Sequence, residues 1–144
     1  RYGLEKIKTI GDAYLVVAGA PEPRQDHAAA TLDMALAMHA TVGSAEMSAG
    51  VPIRLRMGVA SGPAVAGVIG HRKFSYDIWG DAVNLASRME STGGPGSIQL
   101  AESTWRLCRD RYSFTPRDVE VKGIGAMRTY LLDPSSVSPR DDPD

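Results

Sequence analysis

The chain has 144 residues, 43% apolar and 23% charged, and its 16 Lys and Arg nearly balance its 17 Asp and Glu. That composition describes one folded α/β or α+β domain and excludes collagen, a disordered chain and a disulfide scaffold. The net charge of −1 provides no basic footprint for nucleic acid or an anionic membrane surface, and with Cys108 as the single cysteine neither an intrachain disulfide nor a thiolate metal site forms, so a reducing compartment is expected.

No apolar run reaches the ~18 residues that a membrane-spanning helix needs, and no signal peptide opens the chain. Arg1 to Lys8 enter a strand-like pattern without an initiator Met, which reads as a larger protein cut upstream. Two β-rich runs, Lys6–Ile10 and Tyr14–Val17, flank Gly11-Asp12 and predict a hairpin with Asp12 at its turn. Asp26 caps an expected helix through about Val42, with Ala29, Leu32, Met34, Ala35 and Met38 supplying an apolar stripe. Gly43 to Pro52 then reads as a small-residue connection. A period of two predicts a strand over 53–61, and Ala64–Ile69 and Phe74–Trp79 suit two more. Asp81 is expected to cap a helix over 82–90 that stops at Gly93-Gly94-Pro95-Gly96. A strand at 97–100, a helix at 101–109 and strands at 119–121 and 129–132 follow. The domain is expected over 1–133, and the Pro-, Ser- and Asp-rich tail 134–144 is expected to be disordered.

The chain lacks a P-loop, a complete dinucleotide-binding glycine loop, a nucleophile elbow and a His-Glu-x-x-His helix. Three polar groups remain. Lys8 and Asp12 lie on the first hairpin, where a turn carboxylate can meet a hard cation or simply make good turn chemistry. Asn84 and Arg88 stand at i, i+4 on one helix face. They present an amide and a guanidinium fork suited to ribose and phosphate oxygens, or a solvated face on which Arg88 pairs with Glu90 or Asp81. Asp77, just upstream, can accept from an exocyclic amine or pair with Lys73. Lys122, beside Gly123-Ile124-Gly125, is either a loop cation over a polyphosphate or an ordinary exposed lysine. Trp79, Trp105 and Tyr76 read as core or interface anchors.

Glu5–Tyr14 and Tyr76–Glu90, with Met57–Gly62, Gly67–Gly70 and Val121–Gly125 in the same order, resemble the class III nucleotide cyclases, specifically adenylyl cyclase catalytic domains of the bacterial, actinobacterial homodimeric type. The resemblance covers residues 1 to about 132. It implies an α/β, ferredoxin-like sandwich that lacks its first strand and helices, and conversion of ATP to 3′,5′-cyclic AMP and pyrophosphate with two Mg²⁺ or Mn²⁺ ions per site. Carried over by position, Asp12 is one of two metal aspartates, and Lys8 and Asp77 select adenine with a backbone contact from Ile78. Asn84 and Arg88 are the transition-state pair, and Lys122 holds the triphosphate. A guanylyl cyclase is expected to have Glu in place of Lys8. A rise of ~3.3 Å per residue separates Lys8 from Asp12 by roughly 13 Å, in keeping with the family's homodimer, in which Asp12 comes from the other protomer.

Two departures stand out. The other metal aspartate belongs to a segment upstream of Arg1, and Pro63 follows Ser61-Gly62 where some relatives carry a triphosphate-binding arginine. Weak or no activity is therefore expected of this fragment alone, with an open sheet edge where the first strand pairs. A catalytically silent nucleotide-binding or dimerisation module is the alternative from another class. A cytoplasmic location, with a membrane or sensor domain upstream, fits the same resemblance.

Overall fold

The Gly-Asp pair between two β-rich runs produces the expected hairpin, β1 (Glu5–Ile10) and β2 (Ala13–Val17), whose ladder closes at Ile10↔Ala13. Its register shifts between Lys6 and Lys8, which pair with the adjacent residues Val16 and Leu15. This bulge adds one residue to β1 and increases the local twist. The structure, a computed structural model, describes residues 5–10, 13–19, 25–50, 55–63, 65–69, 75–94, 96–121 and 123–133. Asp12, Lys122 and the tail from 134 onward lie outside them.

Helix α1 runs from His27 to Ala49, seven residues past the expected end at Val42. Gly43 does not stop it, because a single glycine inside a helix costs only ~1 kcal/mol. Gly50, with φ of +68°, is the left-handed residue that ends it. Of the strand expected over 53–61, residues 53 and 54 lie outside the described set, and over 55–61 only β3 (Met57–Val59) forms. Beyond Val59 the backbone leaves the ladder, and Ser61 instead bonds to helix side chains: its N–H to Ser103 Oγ (3.2 Å) and its hydroxyl to Thr104 Oγ1 (2.9 Å). Strands β4 (Val65–Ile69) and β5 (Ser75–Trp79) pair antiparallel in register from Val65↔Trp79 to Ile69↔Ser75.

Helix α2 spans Asp81–Thr92. Gly80, not Asp81, is its N-cap and makes no side-chain cap. The Gly80 carbonyl accepts from Val83 and Asn84 (3.1 and 3.3 Å), and Asp81 favours the first turn through the helix dipole. Strand β6 (Ile98–Ala101), helix α3 (Glu102–Cys108), strand β7 (Phe114–Val121) and strand β8 (Gly125–Leu132) complete the described order. The last two strands are longer than the expected 119–121 and 129–132.

The main sheet has the order β3-β6-β8-β7, with β3 parallel to β6 and the other pairs antiparallel. All four residues of β6 are buried, as a central strand covered on both faces requires. Alternation sends Ile98 and Leu100 to one face, where they meet Val59, Tyr130, Leu132, Leu32 and Cys108 under α1 and α3. It sends Ala101 to the other, with Val121 and Met89 of α2. Trp105 stacks on Tyr130 with ring centroids 4.0 Å apart, as an anchor residue should, and the Arg109 guanidinium lies 5.6 Å from its ring centre. The side chains of Trp79 and Tyr76 lie outside the described set. Tyr112 donates to Asp33 Oδ1 at 2.5 Å and ties the α3–β7 connection to α1.

Cys108 is only 2% exposed. Desolvation pushes its thiol up to about 11, from an ordinary 9.0, against the lowering effect of the Arg111 charge. The folded state thus keeps a proton that the unfolded chain loses above 9.0, so this contribution is complete below pH 9 and disappears as the pH climbs through about 11. Iodoacetamide should leave the native protein almost unlabelled at pH 8 and label it rapidly in denaturant, and the thermal midpoint of wild type should fall more steeply than that of Cys108→Ala between pH 9 and 11. Rapid native labelling would contradict the burial.

Candidate active site

The site begins with a steric match. A Cβ at Gly58 of β3 would overlap the Glu90 nitrogen and the Ala86 carbonyl oxygen and would lie 2.7 Å from Met89 C. The backbone of α2 therefore rests directly on β3, which only glycine permits. With Met89 buried toward the sheet, the opposite face carries Asn84, exposed, and Arg88, half-buried.

The solvated-face reading of Arg88 meets a specific obstacle. Glu90, its nearest sequence candidate for a partner, is paired with Arg56 (Nε to Oε2, 2.6 Å). Among the described residues neither Glu90 nor Asp81 forms an ion pair with Arg88. Its Nη2 instead lies against the β7–β8 turn, 3.9 Å from where a Cβ would stand on Gly123. Gly123 has φ of +84°, a conformation that side-chain-bearing residues rarely adopt. The fold thus brings an Arg88 unpaired among the described residues to the turn that contains Lys122, although Lys122 itself lies outside the description.

The other candidates are placed at the level of their strands. Lys8 pairs with Leu15 on β1, Asp77 with Gly67 and Ile78 with Ala66 on β5, and β1 runs beside β5. The side chains of Lys8, Asp77 and Ile78, and Asp12 entirely, lie outside the described set. No group of three or more His, Cys, Asp or Glu converges among the described residues.

A cleft of about 310 Å³ opens between β2 and β3, floored by Ala82 and Ala86 of α2 and edged by Ser61 and Gly62. Of the candidate residues whose side chains are described, neither Asn84 nor Arg88 lines it. Among the described residues β3 pairs only with β6 and β2 only with β1.

Sequence reasoning missed a polar network behind α2. Gln99, fully buried on β6, donates from Nε2 to Met89 O and Thr92 Oγ1 (both 2.8 Å). Its Oε1 accepts from Arg117 Nη1 (2.9 Å) and Thr129 Oγ1 (3.1 Å). The available signal was an amide in the middle of the apolar run Ile98–Ala101, since a buried amide demands partners.

A mixed sheet with helices on both faces is the architecture of nucleotide cyclase catalytic domains. The family described as Adenylate and Guanylate cyclase catalytic domain matches residues 1–134, and the chain belongs to it. It is 49% identical over 133 residues to an adenylate cyclase of Mycobacterium tuberculosis, covering 92% of this chain and 30% of that protein. The chain therefore spans about 30% of the length of these curated relatives. It is also 41% identical to the rat guanylate cyclase soluble subunit beta-2, over 88% of this chain and 19% of that one. Among solved structures, the guanylate cyclase domain of RhGC from Catenaria anguillulae in complex with GTP superimposes with a TM-score of 0.85 at 41% identity, over 92% of this chain and 73% of that one. The adenylyl cyclase CyaB from P. aeruginosa gives 0.78 at 30% identity, over 98% and 76%. Among the described residues no helix is long and apolar enough to cross a membrane.

Proposed function

We propose that this chain supplies the catalytic machinery of an adenylyl cyclase that forms 3′,5′-cyclic AMP and pyrophosphate from ATP at sites shared by two copies. The observation that carries the reading is Arg88, held on the outer face of α2, without an ion-pair partner among the described residues and against the β7–β8 turn. The 49% identity to mycobacterial adenylate cyclases supports the nucleotide choice, as does Lys8 where a guanylyl enzyme is expected to carry Glu.

In this mechanism the ribose 3′-oxygen attacks the α-phosphorus in line, loses its proton, and displaces pyrophosphate as the α–β P–O bond breaks. Lys8 donates to adenine N1, Asp77 accepts from the N6 amine, and the Ile78 backbone adds a base contact. Asn84 orients the ribose, Arg88 neutralises charge that accumulates on the α-phosphate oxygens, and Lys122 holds the outer phosphates. Two Mg²⁺ or Mn²⁺ ions, held in part by Asp12 of the other copy, would supply the positive charge that a polyphosphate requires. A twofold axis makes the two sites equivalent.

The test is cyclic nucleotide formation from Mn²⁺-ATP and from Mn²⁺-GTP, over a wide protein concentration range, for this chain and for the natural full-length protein. The full-length protein should favour ATP, with specific activity rising with concentration, and this chain alone should be weak or silent. Lys8→Glu should cut turnover of ATP relative to GTP at least ~10-fold, because the base edge then meets an acceptor where it needs a donor. A folded, dimeric full-length protein that forms no cyclic product would favour a nucleotide-binding or dimerisation module, and preference for GTP would make it a guanylyl cyclase.

A further inference from the structure

The network behind α2 has a direction. Arg117 Nη1 donates to Gln99 Oε1 (2.9 Å), Gln99 Nε2 donates to Thr92 Oγ1 (2.8 Å), and Thr92 Oγ1 donates to the Arg88 carbonyl (2.7 Å). Each donor is a group with a proton to give and each acceptor has a free lone pair, so the chain is internally consistent. Arg117 Nη1 also donates to Thr92 O (3.0 Å), and Gln99 Nε2 to Met89 O (2.8 Å). Two of the last carbonyls of α2 are therefore capped from the sheet, and a guanidinium stands at the negative end of a helix that has no basic residue in its own last turn.

A merely decorative surface arginine would not be built this way. Gln99 is 0% exposed and Thr129, which donates to Gln99 Oε1 or to Arg117 O, is also 0% exposed. Loss of one member leaves buried polar atoms without partners. The network terminates at the backbone of Arg88, while Gly58 fixes the same helix turn from β3.

We infer that Arg117 and Gln99 are positioning residues: they lock the last turn of α2 so that the Arg88 guanidinium is held at the β7–β8 turn before substrate arrives. This rests on the catalytic role proposed for Arg88. Preorganised charge acts without reorganisation during the reaction, and small misplacements of such a group are costly.

The experiment uses the natural full-length protein and four variants: Arg117→Met, Arg117→Lys, Arg88→Ala, and Arg117→Met with Arg88→Ala. Arg117→Met should lower kcat for cyclic AMP about 10-fold with KM within about twofold, and Arg117→Lys should recover part of that loss. In the Arg88→Ala background the same Arg117→Met change should alter kcat by less than about twofold, because the group through which it acts is gone. A lowered thermal midpoint with kcat intact would overturn the inference, as would losses that multiply in the double variant. If the wild type forms no cyclic nucleotide, the proposed function fails separately, and amide exchange decides the clamp. Arg117→Met should then accelerate exchange over residues 88–93 while leaving α1 unchanged, and unchanged exchange over 88–93 would overturn it.

Discussion

Alanine at Arg88 is expected to lower kcat for cyclic AMP by about 10² to 10³ in the natural full-length protein, the range observed when a single transition-state donor is removed. Stability should hardly move, because Arg88 has no ion-pair partner among the described residues and its Nη2 lies 3.9 Å from where a Cβ would stand on Gly123. A half-exposed residue with no such partner changes stability by roughly 0.5 kcal/mol or less. Arg88→Lys keeps the charge but loses the planar fork, so it should recover only part of the rate. Thermal unfolding and steady-state kinetics on the same preparations check both halves. A variant with full turnover would remove Arg88 from the chemistry, and one that fails to fold would reassign it to structure.

Gly58→Ala should have the largest effect on stability of any single-methyl addition among the described residues. The added carbon would meet backbone atoms of α2, the Glu90 nitrogen and the Ala86 carbonyl oxygen, which cannot rotate aside as a side-chain tip can. Overpacking costs roughly 1–3 kcal/mol, and because backbone cannot give way the upper end applies, a drop in thermal midpoint on the order of 10 °C for a domain of this size. The helix must move outward to relieve the overlap and must carry Asn84 and Arg88 with it, so surviving protein should also turn over more slowly. Gly62→Ala, whose Cβ would meet the Ala82 Cβ at 3.3 Å and no other atom of the described residues, is the matched control and should be mild. A midpoint for Gly58→Ala within about 2 °C of wild type would show that the helix has room to shift.

The parts of the fold that were legible in the sequence are those governed by local chemistry. The Gly-Asp turn located β1 and β2, and the i, i+4 pairing of Asn84 with Arg88 placed both on one face of α2. The end of α1 was not legible, because Gly43 and Gly50 look alike in sequence and only the second adopts a positive φ. The start of β7 was hidden by Pro116, which argues against a strand. The residue is tolerated because β7 pairs only with β8 among the described residues, so Pro116, opposite Tyr130, sits on an edge. The Gln99 network escaped notice because Arg117 and Thr129 lie 18 and 30 residues from Gln99, and no periodicity links them. The i, i+4 spacing of Asn84 and Arg88 could be read from sequence, and what holds their helix in place was found only from packing.

The pairing of β3 with β6 also bears on how the chain folds. Strands β7 and β8 meet through an immediate turn, whereas Met57 must find Ile98 roughly forty residues further on, a closure that slows folding. The C-terminal hairpin and α3 should therefore assemble early, and the docking of β3 and α2 should come late. Core substitutions at the β7–β8 hairpin should then slow refolding, whereas those at the β3–α2 contact should mainly speed unfolding, giving φ-values near one and near zero respectively. The helix that carries Asn84 and Arg88 would be the last piece of the described fold to settle into place.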